Sequence, residues 1–196
     1  MKAVAVPAIA VLLVIAASHA ASAQDCNCGN AHGHNQSTTT PATSPYAGMQ
    51  GRVVKALSEQ QIADLKAGRG MGLSLPAELN GYPGPAHVLE LADALQLSDD
   101  QRARTKTLFE AMKAETIPIG EQIIAEETVV DRLFAAKQVT RETLDAAVSR
   151  IASAQGRLRA AHLRYHLSMT DLLSPRQVER YVELRGYKTG GHHQMQ

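Results

Sequence analysis

Apolar residues recur every three to four positions along most of the chain from residue 85 onward, which is the period of helices with one buried face. Over about 98–137 the predicted apolar stripe is Leu108, Met112, Ile119, Ile123, Val130 and Phe134. Over about 141–173 the predicted stripe is Leu144, Val148, Ile151, Leu158, His162, Tyr165, Met169 and Leu172. Only residues 138–140 separate the two helices, so they must pack as antiparallel neighbours. The pattern predicts an all-α fold, a long antiparallel helical hairpin with shorter flanking helices.

Helix starts are marked by three copies of Leu-Ser-x-x-Gln, at residues 57–61, 97–101 and 173–177. In each copy the Ser fits an N-cap, where its hydroxyl accepts a hydrogen bond from the backbone N–H three residues on, and the Gln reaches back to the N-cap N–H. The pattern also predicts a short helix that begins at Pro85 and continues to Gln96.

The chain divides into a helical domain and less regular segments. Residues 24–45 lack apolar periodicity and are rich in Asn, Ser, Thr and Pro, so we predict a disordered tail there. Residues 46–84 are predicted to be loop-rich with one short helix, residues 85–187 to form the hairpin domain, and residues 188–196 to be a His-rich tail.

Residues 1–23 have the layout of a removable export signal. A basic residue precedes an apolar run from Ala3 to Ala17, and Ala21-Ser22-Ala23 matches an A-x-A cleavage site, so the mature chain is expected to begin at Gln24. The apolar run is shorter than a membrane-spanning helix needs, and an uncleaved anchor is the alternative. We therefore expect an exported protein with a cleavable signal peptide.

Composition excludes some classes of function. The predicted mature chain has 19 basic and 19 acidic residues, and this balance gives no reason to expect a nucleic-acid partner. No Ser, His and Asp arrangement stands out, and the glycines at 68–72 lack the pattern of a phosphate loop. The sequence therefore predicts a protein that is not an enzyme.

The two long helices carry charges of opposite sign. Acidic residues on the first are Glu110, Glu115, Glu121, Glu126, Glu127 and Asp131. Basic residues on the facing part of the second are Arg150, Arg157, Arg159 and Arg164. These blocks favour the predicted register, although each exposed pair contributes only about 0–1 kcal/mol, and two solvated faces of opposite sign are the alternative.

Two histidines on the second long helix are candidate metal ligands. His162 and His166 lie four residues apart, so both rings project from one helix face, with Met169 near the same meridian. Two nitrogens and a thioether suit a divalent transition ion such as Cu, Zn, Ni or Co. Folding the hairpin at its turn places Glu115 opposite His162 as a third ligand or an orienting group, and also brings Met112 toward the two histidines. The alternatives are a His162 that fills a core gap beside a solvent-facing His166, and a pH switch.

The terminal segments carry a second set of candidate ligands. These are Cys26, Cys28, His32, His34, His192 and His193. Soft and borderline donors on irregular polypeptide favour metal binding. Disulfide formation is the alternative in an oxidising compartment, where a bridge to a second molecule is favoured because a Cys-x-Cys ring is small and strained.

The three Leu-Ser-x-x-Gln motifs, with Ser in place of Thr, resemble the LTxxQ motif of the Spy/CpxP family over roughly residues 85–186. This periplasmic family includes ZraP- and CnrX-like heavy-metal-binding and sensor proteins. In CnrX-like sensors the helix before the last motif carries ligands at i and i+4, the place that His162 and His166 hold here. This chain departs from the sensor pattern, because its first helix offers only His87 with Glu90 and no second His-x-x-x-His.

The resemblance implies a periplasmic homodimer and two functions. One is heavy-metal binding, sensing or resistance, with a membrane sensor kinase or an anti-sigma factor as the partner. The alternative is an ATP-independent holdase chaperone of the envelope stress response, which captures unfolded client proteins. Client binding would then involve the basic face formed by Arg157, Arg159 and Arg164.

Overall fold

The computed structural model describes residues 44–187. A 3₁₀ turn at Met49–Gly51 is followed by α1 (Glu59–Lys66), α2 (Leu75–Glu78), α3 (Pro85–Glu90), α4 (Asp99–Ala135), α5 (Arg141–Leu172) and α6 (Pro175–Leu184). This part of the chain contains no strand, and α4 packs along α5 as a hairpin, so the all-α prediction is confirmed. Within it, no helix combines the length and the apolar character needed to cross a bilayer. The predicted signal peptide, the His-rich tail and nearly all of the N-terminal tail lie outside the described residues.

The capping boxes predicted from the repeated motif are present. Ser58, Ser98 and Ser174 each accept a hydrogen bond from the backbone of the Gln three residues on, and that Gln side chain accepts one from the Ser N–H. Thr140 and Thr143 form a similar box at the start of α5. These bonds satisfy donors that a helix N-terminus otherwise leaves unpaired, which is why the helices begin at these residues.

The second and third motifs also bind each other. Gln101 Nε2 lies 2.9 Å from Gln177 Oε1, and Gln177 Nε2 lies 2.9 Å from Gln101 Oε1, so the two amides form a reciprocal pair. Gln101 donates as well to the carbonyl of Leu172, and Gln177 to the carbonyl of Leu95. Each Gln therefore caps its own helix and ties the start of α4 to the start of α6.

Ion pairs across the hairpin agree with the predicted register. Arg164 on α5 pairs with Glu115 on α4. Arg150 Nε lies 2.8 Å from Glu126 Oε2. The opposite charges of the two arms thus pair directly at these positions, as one of the two interpretations of the charge pattern predicted.

Two apolar clusters hold the flanking segments to the hairpin. The Val88 cluster, near the start of α4, contains Val88, Ala92, Leu95, Leu97, Met169, Leu173 and Tyr181. The Ile123 cluster, midway along the hairpin, contains Val54, Leu57, Leu65, Ile123, Ala154 and Leu158. Gly120 allows α1 to approach α4, since a Cβ there would lie 2.4 Å from the carbonyl oxygen of Leu65. On α5, the stretch between the two clusters carries His162 and His166.

Two details of the helix predictions were wrong. α3 ends at Glu90, and the chain continues through turns to Gln96, whose positive φ of 52° is incompatible with a continuing helix. Phe134 and Val148, predicted for the buried stripes, are 55% and 50% exposed. Both lie near the hairpin turn, whereas the two apolar clusters of the described residues form further along the hairpin.

Candidate functional site

A cavity of about 230 Å³ lies between the hairpin and the loop-rich segment before it. Helix α5 contributes His162 and His166, and α4 contributes Met112. The remaining lining residues come from the preceding segment and from α2 and α3: Gly70, Met71, Gly72, Ser74, Leu75, Glu78, Gly84, Pro85, Ala86 and His87. The fold therefore gathers three imidazoles, one carboxylate and two thioethers around one space.

His162 is buried at this cavity, and its Nε2 has no hydrogen-bond partner among the described residues. Burial lowers the pKa of His162, and the neighbouring His166 lowers it further, while the Glu115 carboxylate acts in the opposite direction. The His162 ring is therefore neutral at pH 7. A neutral imidazole keeps a nitrogen lone pair that can bind a cation.

His166, one turn further along α5, is oriented by the backbone. Its Nδ1 lies 2.7 Å from the carbonyl oxygen of Tyr82, so Nδ1–H donates to that carbonyl, and the nitrogen that can offer a lone pair to a cation is Nε2. Gly84 leaves room for the ring, because a Cβ there would lie 2.9 Å from its Cε1 and 3.1 Å from its Nε2. A backbone carbonyl that orients a ring in this way is a common partner of metal-binding histidines.

Glu78, the last residue of α2, brings a carboxylate to the same cavity. It is only 6% exposed, and its Oε2 lies 3.8 Å from His166 Nδ1. Its Oε1 accepts hydrogen bonds from the hydroxyls of Tyr181 and Tyr187. One oxygen of Glu78 is thus fully engaged, whereas Oε2 has no hydrogen-bond partner within residues 44–187.

Three side-chain polar atoms of the described residues are buried without a hydrogen bond, and all three belong to residues that line the cavity. They are Ser74 Oγ, Glu78 Oε2 and His162 Nε2. Leaving such an atom unpaired costs about 1–3 kcal/mol, so their collection in one place indicates a polar occupant. As the side chains stand, however, residues 44–187 contain no group of three or more His, Cys, Asp or Glu arranged to hold a metal ion.

A family profile described as heavy-metal resistance matches residues 77–180, which is more than half of the chain. The chain belongs to the heavy-metal resistance family. The match includes Glu78, His162 and His166, so the main polar groups of the cavity lie inside the family domain. The family membership expected from the repeated motif is confirmed, and with it a broad role in heavy-metal resistance. No curated protein and no solved structure matches the chain significantly.

Within this heavy-metal resistance domain, the structure brings together only some of the predicted ligands. His162 and His166 both line the cavity and are both buried, so the alternative with a solvent-facing His166 is wrong. Met169 is buried in the Val88 cluster and does not line the cavity, whereas Met112 does. Glu115 influences His162 electrostatically, but it pairs with Arg164 and does not line the cavity either.

Sequence reasoning missed Glu78. It lies in a loop-rich segment with no periodicity or motif around it, and only the packing of that segment on α5 brings it to His166. The candidate ligands of the terminal segments lie outside the described residues, so their role stays a prediction: Cys26, Cys28, His32, His34, His192 and His193.

The basic residues predicted to bind clients differ in their surroundings. Arg164 pairs with Glu115, and Arg157 donates a hydrogen bond to Gln122 on α4. Arg159 instead lines a groove of about 450 Å³ together with apolar residues of α1, α4 and α5. The three Arg side chains therefore do not form one uniform surface.

Proposed function

We propose that this protein is a periplasmic heavy-metal-binding protein that senses or sequesters a divalent transition ion in the cavity between α5 and the segment of α2 and α3. The observation that carries the proposal is the gathering of three buried, unpaired polar atoms, on Ser74, Glu78 and His162, at one cavity. Membership of the heavy-metal resistance family supports the class of ligand.

The donors of the cavity suit a borderline ion. His162 and His166 offer imidazole nitrogens and Glu78 offers a carboxylate oxygen, and Met112 adds a thioether to the lining. Imidazole and thioether donors favour Cu, Ni, Co or Zn over Mg or Ca, which prefer sites made of oxygen atoms. Bound there, the ion would satisfy Glu78 Oε2, the carboxylate oxygen that has no hydrogen-bond partner among the described residues.

Binding requires a local closure of these side chains. As the side chains stand, residues 44–187 hold no complete three-ligand group. The cavity volume of about 230 Å³ leaves space for water molecules, which can complete the coordination of an ion held by few protein ligands. The neutral state of His162 means that no proton has to leave this ring at pH 7 before an ion binds.

Calorimetric titration with Cu, Ni, Co and Zn tests the proposal. The titrated protein is the mature chain in which the six terminal Cys and His residues are replaced, so that only the cavity can respond. Replacing His162 and His166 by Ala should abolish binding, and Met112→Leu should weaken it. Met169→Leu is the matched control, because this thioether is on α5 but outside the cavity. If the protein with intact cavity residues binds none of the four ions, the cavity holds water and the proposal is wrong.

Further ions of the same class are proposed to bind the terminal residues Cys26, Cys28, His32, His34, His192 and His193.

We also propose a homodimer, supported by the exposed Phe134 and Val148 near the hairpin turn. A membrane sensor kinase or an anti-sigma factor is the proposed signalling partner. Sedimentation of the mature protein at micromolar concentration checks the dimer, and a stable monomer would contradict it.

A second candidate function is an ATP-independent holdase chaperone. The groove in which Arg159 lies beside Leu57, Leu65 and Leu158 combines apolar surface with a basic side chain, which suits an unfolded segment of a client protein. The purified protein should then reduce light scattering by an aggregating client without ATP. Arg159→Glu should weaken this effect more than Arg104→Glu, a charge reversal outside the groove.

A further inference from the structure

Glu78 connects the cavity to α6 and to the residues just after it. Its Oε2 faces His166, while its Oε1 accepts hydrogen bonds from Tyr181 and from Tyr187, the latter at 3.0 Å. Arg185 Nε lies 3.5 Å from the same Oε1. All three partners of Oε1 belong to α6 and the three residues that follow it, so one carboxylate joins the cavity to this segment.

Tyr181 is held firmly in this contact. Its ring is completely buried in the Val88 cluster. Burial and the hydrogen bond to Glu78 both raise the pKa of the Tyr181 hydroxyl, so the phenol stays protonated and acts as a donor to the carboxylate. Apolar packing therefore fixes the position of the Tyr181 ring, and the backbone of Gly84, a residue of the cavity lining, is a further hydrogen-bond partner of its hydroxyl.

Tyr187 is oriented by Arg185. The Nε–H of Arg185 donates to the Tyr187 hydroxyl at 3.2 Å, and its guanidinium lies 5.7 Å from the centre of the Tyr187 ring. The Tyr187 hydroxyl in turn donates to Glu78. The carboxylate thus receives two hydroxyl donors on Oε1, which leave Oε2 as the oxygen available to the cavity.

We propose that Tyr181 and Tyr187 are positioning residues for the Glu78 carboxylate, and that an ion in the cavity is thereby coupled to the packing of α6 on the hairpin. This inference rests on the proposed function, that is, on an ion binding to Glu78 Oε2. An ion that binds Glu78 through Oε2 alone would leave both tyrosine hydrogen bonds to Oε1 intact. The ion and the two tyrosines would therefore favour the same orientation of the carboxylate. By thermodynamic linkage, the ion stabilises the contact of α6 by the same factor by which that contact strengthens ion binding.

The experiment compares Tyr187→Phe with Tyr82→Phe in the mature protein whose six terminal Cys and His are replaced. Both changes remove one tyrosine hydroxyl, but the hydrogen bond between Tyr82 and His166 is made by the Tyr82 backbone carbonyl, which Tyr82→Phe keeps. Co²⁺ is the probe, because its visible absorption reports the ligand geometry. Hydrogen exchange is followed in α6 and, as an internal reference, in α1.

In the protein that keeps Tyr82, Tyr181 and Tyr187, Co²⁺ should slow hydrogen exchange in α6 and leave hydrogen exchange in α1 unchanged. Tyr187→Phe should weaken Co²⁺ binding about 10-fold, the usual size of effect for a partner that orients a metal ligand, and should reduce the Co²⁺-dependent protection of α6. Tyr82→Phe should match the wild type in both measurements. Tyr181→Phe, which keeps the ring in the Val88 cluster, should act like Tyr187→Phe.

The outcomes separate the two proposals. If the protein binds Co²⁺ but Tyr187→Phe and Tyr82→Phe give the same affinity and the same exchange in α6, the coupling is wrong and the metal site stands. If Co²⁺ accelerates exchange in α6, the ion displaces the tyrosines from Oε1 and the coupling as stated is wrong. If none of Co, Ni, Zn and Cu binds, the proposed function fails, and the coupling fails with it.

Discussion

Glu78 Oε2 lies 3.8 Å from His166 Nδ1, but that nitrogen already donates its hydrogen to the carbonyl of Tyr82. The carboxylate oxygen therefore sits beside an imidazole that is not its hydrogen-bond partner. With its other oxygen bound to two tyrosines, Glu78 has one buried oxygen to offer to an occupant of the cavity. This relationship is the reason why we place the proposed metal site here and not at Glu115.

The stability of the metal-free protein should fall as the pH is lowered below about 6.5, the usual pKa of histidine in an unfolded chain. Burial lowers the pKa of His162 in the folded state, so below that pH the unfolded state binds the proton first and gains stability. Above it, the ring is neutral in both states and adds no pH dependence. Urea unfolding in chelator between pH 8 and pH 5 measures the effect. His162→Gln should show a shallower decrease, and an equal decrease would contradict the assigned cause.

Gly84→Ala should weaken ion binding without preventing folding. The backbone of Gly84, with φ −90° and ψ 147°, is one that Ala adopts readily. Its new methyl group would lie 2.9 Å from His166 Cε1 and 3.7 Å from Glu78 Oε2, so it displaces the imidazole and fills the space between the ligands. Gly51→Ala, with nothing within 4 Å of the added carbon, is the control. Calorimetry with Co²⁺ should show lower affinity for Gly84→Ala only.

Two glycines inside the long helices should respond to Ala in opposite directions. At Gly120 the added carbon would lie 2.4 Å from the backbone oxygen of Leu65, so α1 must move and the protein should lose about 1–3 kcal/mol. At Gly156 nothing lies within 4 Å, and Ala should stabilise α5 by up to about 1 kcal/mol through its higher helix propensity. Urea unfolding of both variants measures the sign of each change in the free energy of unfolding. A Gly120→Ala variant as stable as the wild type would show that α1 does not pack as described.

Gln177→Ala should cost more stability than Gln61→Ala. Both side chains complete a capping box, but Gln177 also forms the reciprocal amide bonds with Gln101 and donates to the carbonyl of Leu95. At about 1 kcal/mol for each of these three additional hydrogen bonds, we expect an excess cost of about 3 kcal/mol. Chemical denaturation of the two variants measures the loss in the free energy of unfolding for each. Equal costs would mean that the motifs act as helix caps and do not join α4 to α6.

A signal peptide that is cleaved after Ala23 should leave Gln24 at the N-terminus. Mass spectrometry of the protein recovered from a periplasmic extract should then show the mass of residues 24–196. The mass of the full chain, recovered with the membrane fraction, would support the uncleaved anchor instead.

The features that depend on neighbours within one or two helical turns could be predicted without the structure. Helix starts could be read from Ser98 and Ser174, because each capping box is closed by residues three positions apart. The short connection at 138–140 imposed the antiparallel hairpin, and the helical period placed His162 and His166 on one face. These features depend only on residues that are close together in the chain, so the sequence is enough to predict them.

Which groups meet at the cavity depends on the packing of segments that are distant in the sequence. Folding the hairpin in sequence already brought Met112 toward His162, but only the packing places Met169 in the Val88 cluster and away from the cavity. Glu78 reaches His166 because the irregular segment before α3 folds back onto α5, and Tyr181 reaches Glu78 because α6 packs there as well. Such contacts depend on how several segments share one space, and no periodicity within any single segment encodes them.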